Sequence, residues 1–258
     1  MSPGQEVSPC YFKTLPTSAE FVVGTVQSWM TAGSSRLLVV YQVNASARQP
    51  DGLTNCGMGG DHAWMFAASL SGQIVELKMP DGVGEPLPAG AQVMLAMHFT
   101  NTTTAVMQPQ AKVNLIAAHD YQTKAAALVA FNTAIDIPAA TASGPGTQTV
   151  TGSCTPPIGA SFFVAGTHTN KHGTTADVND VGHGQQTNVV HTTDWVHPDV
   201  AVWTAPSFLS IQSGDSLTYS CGYSNAGTTP VTVGETDQSN EVCMVVSYYF
   251  PAGTASCE

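Results

Sequence analysis

Apolar, β-branched and aromatic residues come along this chain in short runs, alternating or continuous, at 21–26, 37–43, 92–99, 112–117, 161–165, 216–223 and 242–250. Each run is bounded by Gly, Pro, Asn, Asp or Ser, which is how strands separated by turns read. Residues 120–132 (DYQTKAAALVAFN) have an Ala-rich middle that would suit a helix, but their apolar positions do not keep a 3.6-residue period, so the pattern predicts a strand. The stretch 137–148 (IPAATASGPGTQ) is small, rich in Pro and Gly and without charge, which predicts a crossover between two domains, 1–136 and 137–258. Each half is too long for a seven-strand immunoglobulin domain with short loops. The expected fold is therefore all-β, two tandem eight-stranded antiparallel jelly-roll β-sandwich domains.

Composition narrows the function. The 258 residues carry 7 Lys+Arg against 18 Asp+Glu, a net charge of −11, and are 43% hydrophobic. That hydrophobic content is enough to build a core, which argues against disorder. So few cations cannot neutralise a phosphate backbone, so nucleic acid is excluded as a partner, and an anionic membrane surface would repel the chain. No apolar run reaches the roughly 18 residues of a transmembrane helix. The start, MSPGQEVSPC, has neither the basic nor the apolar region of a signal peptide, and the expectation is that any secretion signal has been removed. Six cysteines without a C-x-x-C predict paired disulfides, hence an oxidising compartment, extracellular or periplasmic. The sequons at Asn44 and Asn101 add little in a Thr-rich chain. No G-x-S-x-G, G-x-x-x-x-G-K-[ST] or H-E-x-x-H is present.

The second half contains Ala165-Gly-Thr-His168-Thr-Asn170-Lys-His172-Gly173, then Thr193-Asp-Trp195-Val-His197-Pro198, then Gly214-Asp215 running to Cys221-Gly-Tyr223-Ser-Asn225, and last Asn240-Glu241-Val242-Cys243-Met244. Together and in this order these resemble the catalytic half of the copper type II, ascorbate-dependent monooxygenases. In the first half, the residues after Cys10, Pro80-Asp81-Gly82-Val83-Gly84 and Met94-Leu-Ala-Met97-His98-Phe99-Thr-Asn101 look like that family's N-terminal domain. The resemblance implies two coppers, one per jelly roll. One would be held by a His-His pair and a further His, the other by His-x-His and a Met. It also implies bridges Cys221–Cys243 and Cys154–Cys257, which leaves Cys10 and Cys56 for each other.

Set on those positions, this sequence departs from the family. His98 stands where the third ligand of the first site belongs, but the His-His positions read Ser34-Ser35-Arg36. At the second site His168 matches, the second His is Asn170, and the Met is Val242. Cu(I) prefers imidazole and thioether; a carboxamide oxygen is a harder donor and Val offers no lone pair. Replacement ligands are conceivable: His172 if the chain bends, as Gly173 permits, Met244 on the same strand face as Val242, and His62 from a Gly-rich loop. Each has a plainer reading as well. His98 suits a hydrogen-bonded core position, Met244 core filler, and His62 a solvated loop residue; His197 reads as structural, and His183 and His191 as exposed flanks of a hairpin. The expectation is a secreted double jelly roll that lacks the paired copper sites, holds zero or one metal ion, and serves as a binding or structural protein. The alternative is an active monooxygenase that uses oxygen and ascorbate to hydroxylate a C–H bond with rearranged ligands. No motif marks a partner, and no aromatic stripe marks a groove.

Overall fold

The computed structural model describes residues 1–55, 62–68, 71–234, 236 and 238–257, without the side chains of Ser35 and Arg36. The described residues form an all-β protein, as expected; their one helical element is a short 3-10 turn, Ala45–Ala47. Strand pairing is antiparallel except for two short parallel contacts, Thr123–Lys124 with Val83–Leu87 and Val231–Val233 with Asn240–Glu241. The chain divides into two compact units, Met1–Ala125 and Ala126–Glu258.

In the first unit one sheet runs Gly52–Asn55, Pro9–Thr14, Gln92–Thr100, Ser35–Gln42, Ala63–Ala68, with Glu6–Val7 also against Gln92–Thr100. The other runs Ala111–Ala117, Phe21–Met30, Val83–Leu87, Thr123–Lys124, with Ile74–Lys78 against Phe21–Met30. Gln92–Thr100 is central and apolar on both faces, which is why it reads as a continuous run. Its Met94 and Ala96 pack with Cys10, Phe12 and Tyr41.

The second unit has a sheet Ala126–Asn132, Cys243–Phe250, Ser161–His168, Val200–Val202, with Leu209–Ser210 also against Ser161–His168. A five-stranded sheet runs Gln185–Thr192, Gly173–Gly182, Ser216–Asn225, Gly146–Thr155, Ser256–Cys257, and a small one joins Asp136–Ile137, Val231–Val233 and Asn240–Glu241. Alternation places Leu217, Tyr219, Cys221 and Tyr223 in a core with Phe162, Ala165, Val245 and Tyr249. Thr147, Thr149 and Thr151 of Gly146–Thr155 are exposed, while Val150 and Cys154 face inward. The hairpin between Gly173–Gly182 and Gln185–Thr192 turns on His183 and Gly184, with φ of 52° and 74°. Two consecutive positive φ values match the twist of the flanking strands.

Within residues 120–132, expected as a single strand, the structure has two, Thr123–Lys124 and Ala126–Asn132, with 120–122 and 125 outside them. The compositional boundary at 136/137 and the compact division at 125/126 differ by that second strand. Ala126–Asn132 belongs to the second unit because it is hydrogen-bonded along its whole length to Cys243–Phe250. The Pro/Gly-rich stretch therefore lies inside the second unit, and its end, from Gly146, is already strand.

Candidate functional site

Strand Ser161–His168 pairs antiparallel with Cys243–Phe250, and the register sets His168 directly opposite Met244. Residues so opposed have Cβ atoms about 4.5–5.5 Å apart and face the same side. Met244 is buried there, with Phe131 opposite it on the other flank. The strand ends at His168 and the chain turns, with the Gly173 N–H donating to the Asn170 carbonyl at 3.0 Å. At Gly173 a Cβ would lie 2.2 Å from Thr169 Oγ1, so the turn admits no larger residue.

A carboxylate holds this turn. Glu241 is fully buried; its Oε2 accepts the Asn170 N–H at 2.8 Å and its Oε1 accepts the His172 N–H at 2.5 Å. The His172 ring follows, with Nδ1 3.2 Å from Oε1. Buried backbone donors need partners, and here one side chain serves two of them. Burial, with Lys171 alongside, holds His172 below its usual pKa, so near neutral pH the ring is uncharged and its Nδ1–H donates to Glu241. Tyr223 completes the cluster: its hydroxyl donates to the Val242 carbonyl at 2.9 Å, and burial first, then the Glu241 charge, push its pKa well above the ordinary phenol value.

The structure brings His168 and Met244 together and takes His172 to Glu241. Position 170, where the resemblance asks for an imidazole, carries an amide whose Nδ2 donates to the Asn240 carbonyl at 3.2 Å. Among the described residues no three His, Cys, Asp or Glu side chains converge as a metal-holding group.

In the first unit His98 is buried opposite Leu37. His62 precedes Ala63, which pairs with Gln42, and its ring meets Tyr41 edge-on at 6.1 Å between centroids. Leu37 and Gln42 are five residues apart on one strand and His62 lies one residue beyond Ala63, which separates the two histidines by about 20 Å along the sheet. One ion cannot take both. Ser34 is buried and its hydroxyl donates to the Thr31 carbonyl at 2.6 Å.

Bridges Cys154–Cys257 and Cys221–Cys243 are formed as the resemblance implied. The pairing of Cys10 with Cys56 falls on a residue outside those described. His183, His191 and His197 are exposed and each meets an aspartate, Asp215, Asp177 and Asp194 respectively. Asn101 is buried with Nδ2 donating to the Met1 and Ala105 carbonyls, which closes that sequon in the folded protein. Sequence reasoning missed the role of Glu241, which stands just ahead of the apolar run 242–250 and whose partners are backbone N–H groups.

A family model described as copper type II ascorbate-dependent monooxygenase, C-terminal domain, matches residues 121–258. No curated protein matches the chain. Among solved structures, the major capsid protein P2 from bacteriophage PM2 is 8% identical over 96% of this chain and 92% of its own, at a TM-score of 0.42. A223, a turret protein in Sulfolobus turreted icosahedral virus, is 7% identical over 96% and 98%, at 0.20. Scores this low carry no argument about this chain.

Proposed function

The chain belongs to the copper type II ascorbate-dependent monooxygenase family through residues 121–258, and from that premise we propose that it is a secreted double jelly-roll protein that has given up the paired copper centres and acts by binding. The observation that carries this reading is the engagement of position 170. The family's second imidazole is replaced by an amide tied to Asn240, on a turn anchored by Glu241. Val242 gives only its carbonyl, and that oxygen accepts from Tyr223. The residues present do not fit the family's three-ligand, oxygen-binding copper, and no hydroxylation step is derived through it. Two disulfides within the second unit support an oxidising, extracellular or periplasmic setting.

A second reading has one observation in its favour, the apposition of His168 and Met244, an imidazole and a thioether on one face. That pair suits a soft ion and defines a single residual site. In an active enzyme it would be completed by ligands outside the family pattern, with ascorbate as reductant.

Copper stoichiometry separates the two. Protein loaded with excess Cu(II) and desalted should retain zero or one equivalent by elemental analysis, the one being removed by His168→Ala. Two equivalents with nitrogen-rich paramagnetic resonance spectra and ascorbate-driven oxygen uptake would overturn the binding-protein reading.

A further inference from the structure

The first unit holds a cavity of about 880 Å³ that lies outside the family match and does not involve the copper positions. One wall is Val93, Leu95, Met97 and Phe99, the alternate residues of Gln92–Thr100 that point away from the Cys10/Phe12/Tyr41 cluster. Val113 and Leu115 of the other sheet form the facing wall. Exposed Leu53 and Tyr11 stand at its lip. Inner faces of a sandwich ordinarily interdigitate about 10 Å apart. Here the two sets of residues line a ligand-sized space whose walls are mostly apolar.

The one charged side chain among the described lining residues is Lys13, directly across from Val93 and two residues from Tyr11, which is opposite Leu95. Its Nζ lies 3.1 Å from Asp51 Oδ2, but it is only one of that carboxylate's partners. Asp51 Oδ1 also accepts the Thr14 N–H at 2.7 Å, the Thr14 hydroxyl at 2.8 Å and Gln92 Nε2 at 3.4 Å. The ammonium is half exposed and has further donors to offer. In a chain with 7 Lys and Arg residues, one of them stands at an apolar cavity, where the Met1 ammonium is already bonded to the Met107 carbonyl.

We propose that this cavity binds a long-chain aliphatic carboxylate, its tail between the two sheets and its head group on the Lys13 ammonium. A monoanion matches a single lysine already shared with one aspartate. A dianionic phosphomonoester would place its surplus charge against Asp51. The proposal stands whether or not the second unit holds copper.

The test is calorimetric titration of the full chain with dodecanoate and, separately, dodecanol. Wild type should take up one equivalent of dodecanoate. Lys13→Met should weaken dodecanoate binding about tenfold or more while leaving dodecanol nearly unchanged, since one charge-assisted contact is removed and the walls are kept. Leu95→Trp should abolish binding of both, and Val113→Trp on the facing wall serves if the first variant does not fold by circular dichroism. Absence of binding to folded wild type, or dodecanoate binding indifferent to Lys13→Met, would overturn the proposal. So would self-association of the chain in competition with dodecanoate, which would assign the cavity to a second copy.

Discussion

Glu241 holds His172 twice over, accepting its backbone N–H at 2.5 Å and meeting its ring Nδ1 at 3.2 Å through the same oxygen. The other oxygen accepts the Asn170 N–H, so the turn after strand Ser161–His168 rests on a single buried carboxylate. Glu241→Ala should strand those donors out of reach of water and cost about 2–4 kcal/mol. Glu241→Gln keeps one acceptor oxygen and should cost about half as much. Urea unfolding of the three proteins side by side checks the order, and an alanine variant as stable as wild type would show that the turn does not need the carboxylate.

Tyr223 gives the site an alkaline limit. Burial and the Glu241 charge raise its pKa, so the folded protein keeps this phenol protonated where the unfolded chain ionises it. The unfolded state then binds fewer protons, and stability should fall as pH rises above about 10, the ordinary tyrosine value. Tyr223→Phe should reduce that alkaline slope and, by leaving the Val242 carbonyl without its donor, cost about 1 kcal/mol near neutrality. Denaturation midpoints measured on both sides of that pH decide it; an unchanged slope would locate the alkaline sensitivity elsewhere.

Both bridges of the second unit act on the unfolded chain. Their sequence separations are 22 for Cys221–Cys243 and 103 for Cys154–Cys257. Loop-closure entropy assigns them about 3 and about 5 kcal/mol. Replacing Cys154 and Cys257 together by Ser should therefore lower the unfolding free energy by more than the Cys221/Cys243 pair does, provided native packing is equally disturbed. The reverse order would show that packing of Cys221 and Cys243 in the core, and not loop length, sets the effect.

Legibility of the fold followed how much of the pattern lies in side chains. Ser216–Asn225 alternates polar and apolar along its length and was readable as a strand from that alone. Gly173–Gly182 (GTTADVNDVG) was not, because the residues it buries fully are Ala176 and Val178 and the rest are small or polar. The start of Gly146–Thr155 was hidden in a stretch read as a crossover; the reason for its glycine is the Pro138 carbonyl, 2.0 Å from where a Cβ would sit. At the site, the two bridges that sequence order pointed to are formed, and the bend that Gly173 permits is present. The Glu241 anchor was out of reach, since its partners are backbone N–H groups about seventy residues away and no residue type records them.

Gly146 gives a direct probe of that segment. Gly146→Ala must push a methyl into backbone at Pro138, which cannot turn aside as a side-chain tip would. The cost should be about 1–3 kcal/mol, typical of overpacking a closed site. Its neighbour Gly144, at a φ of 139°, has open space around it, so Gly144→Ala reports backbone strain alone. Thermal unfolding that ranks Gly146→Ala no lower than wild type would mean the segment 138–146 gives way easily.

Asp51 sets an acid limit on the first unit. Its carboxylate accepts the Thr14 hydroxyl and N–H and meets Lys13, and these bonds hold its pKa down to about 2. A carboxylate with a depressed folded-state pKa adds stability that is complete above its unfolded value of about 3.9 and is lost as pH falls through the folded value. Wild type should therefore lose stability between about pH 4 and pH 2, with Asp51→Asn less stable than wild type at neutral pH and flatter across that interval. Because Thr14 supplies two of the bonds and Lys13 one, Thr14→Val should raise the Asp51 pKa more than Lys13→Met does, a comparison read by carboxyl-carbon NMR titration. The opposite order would mean that Lys13 is committed to Asp51, and would weaken its case as the head-group contact of the cavity beside it.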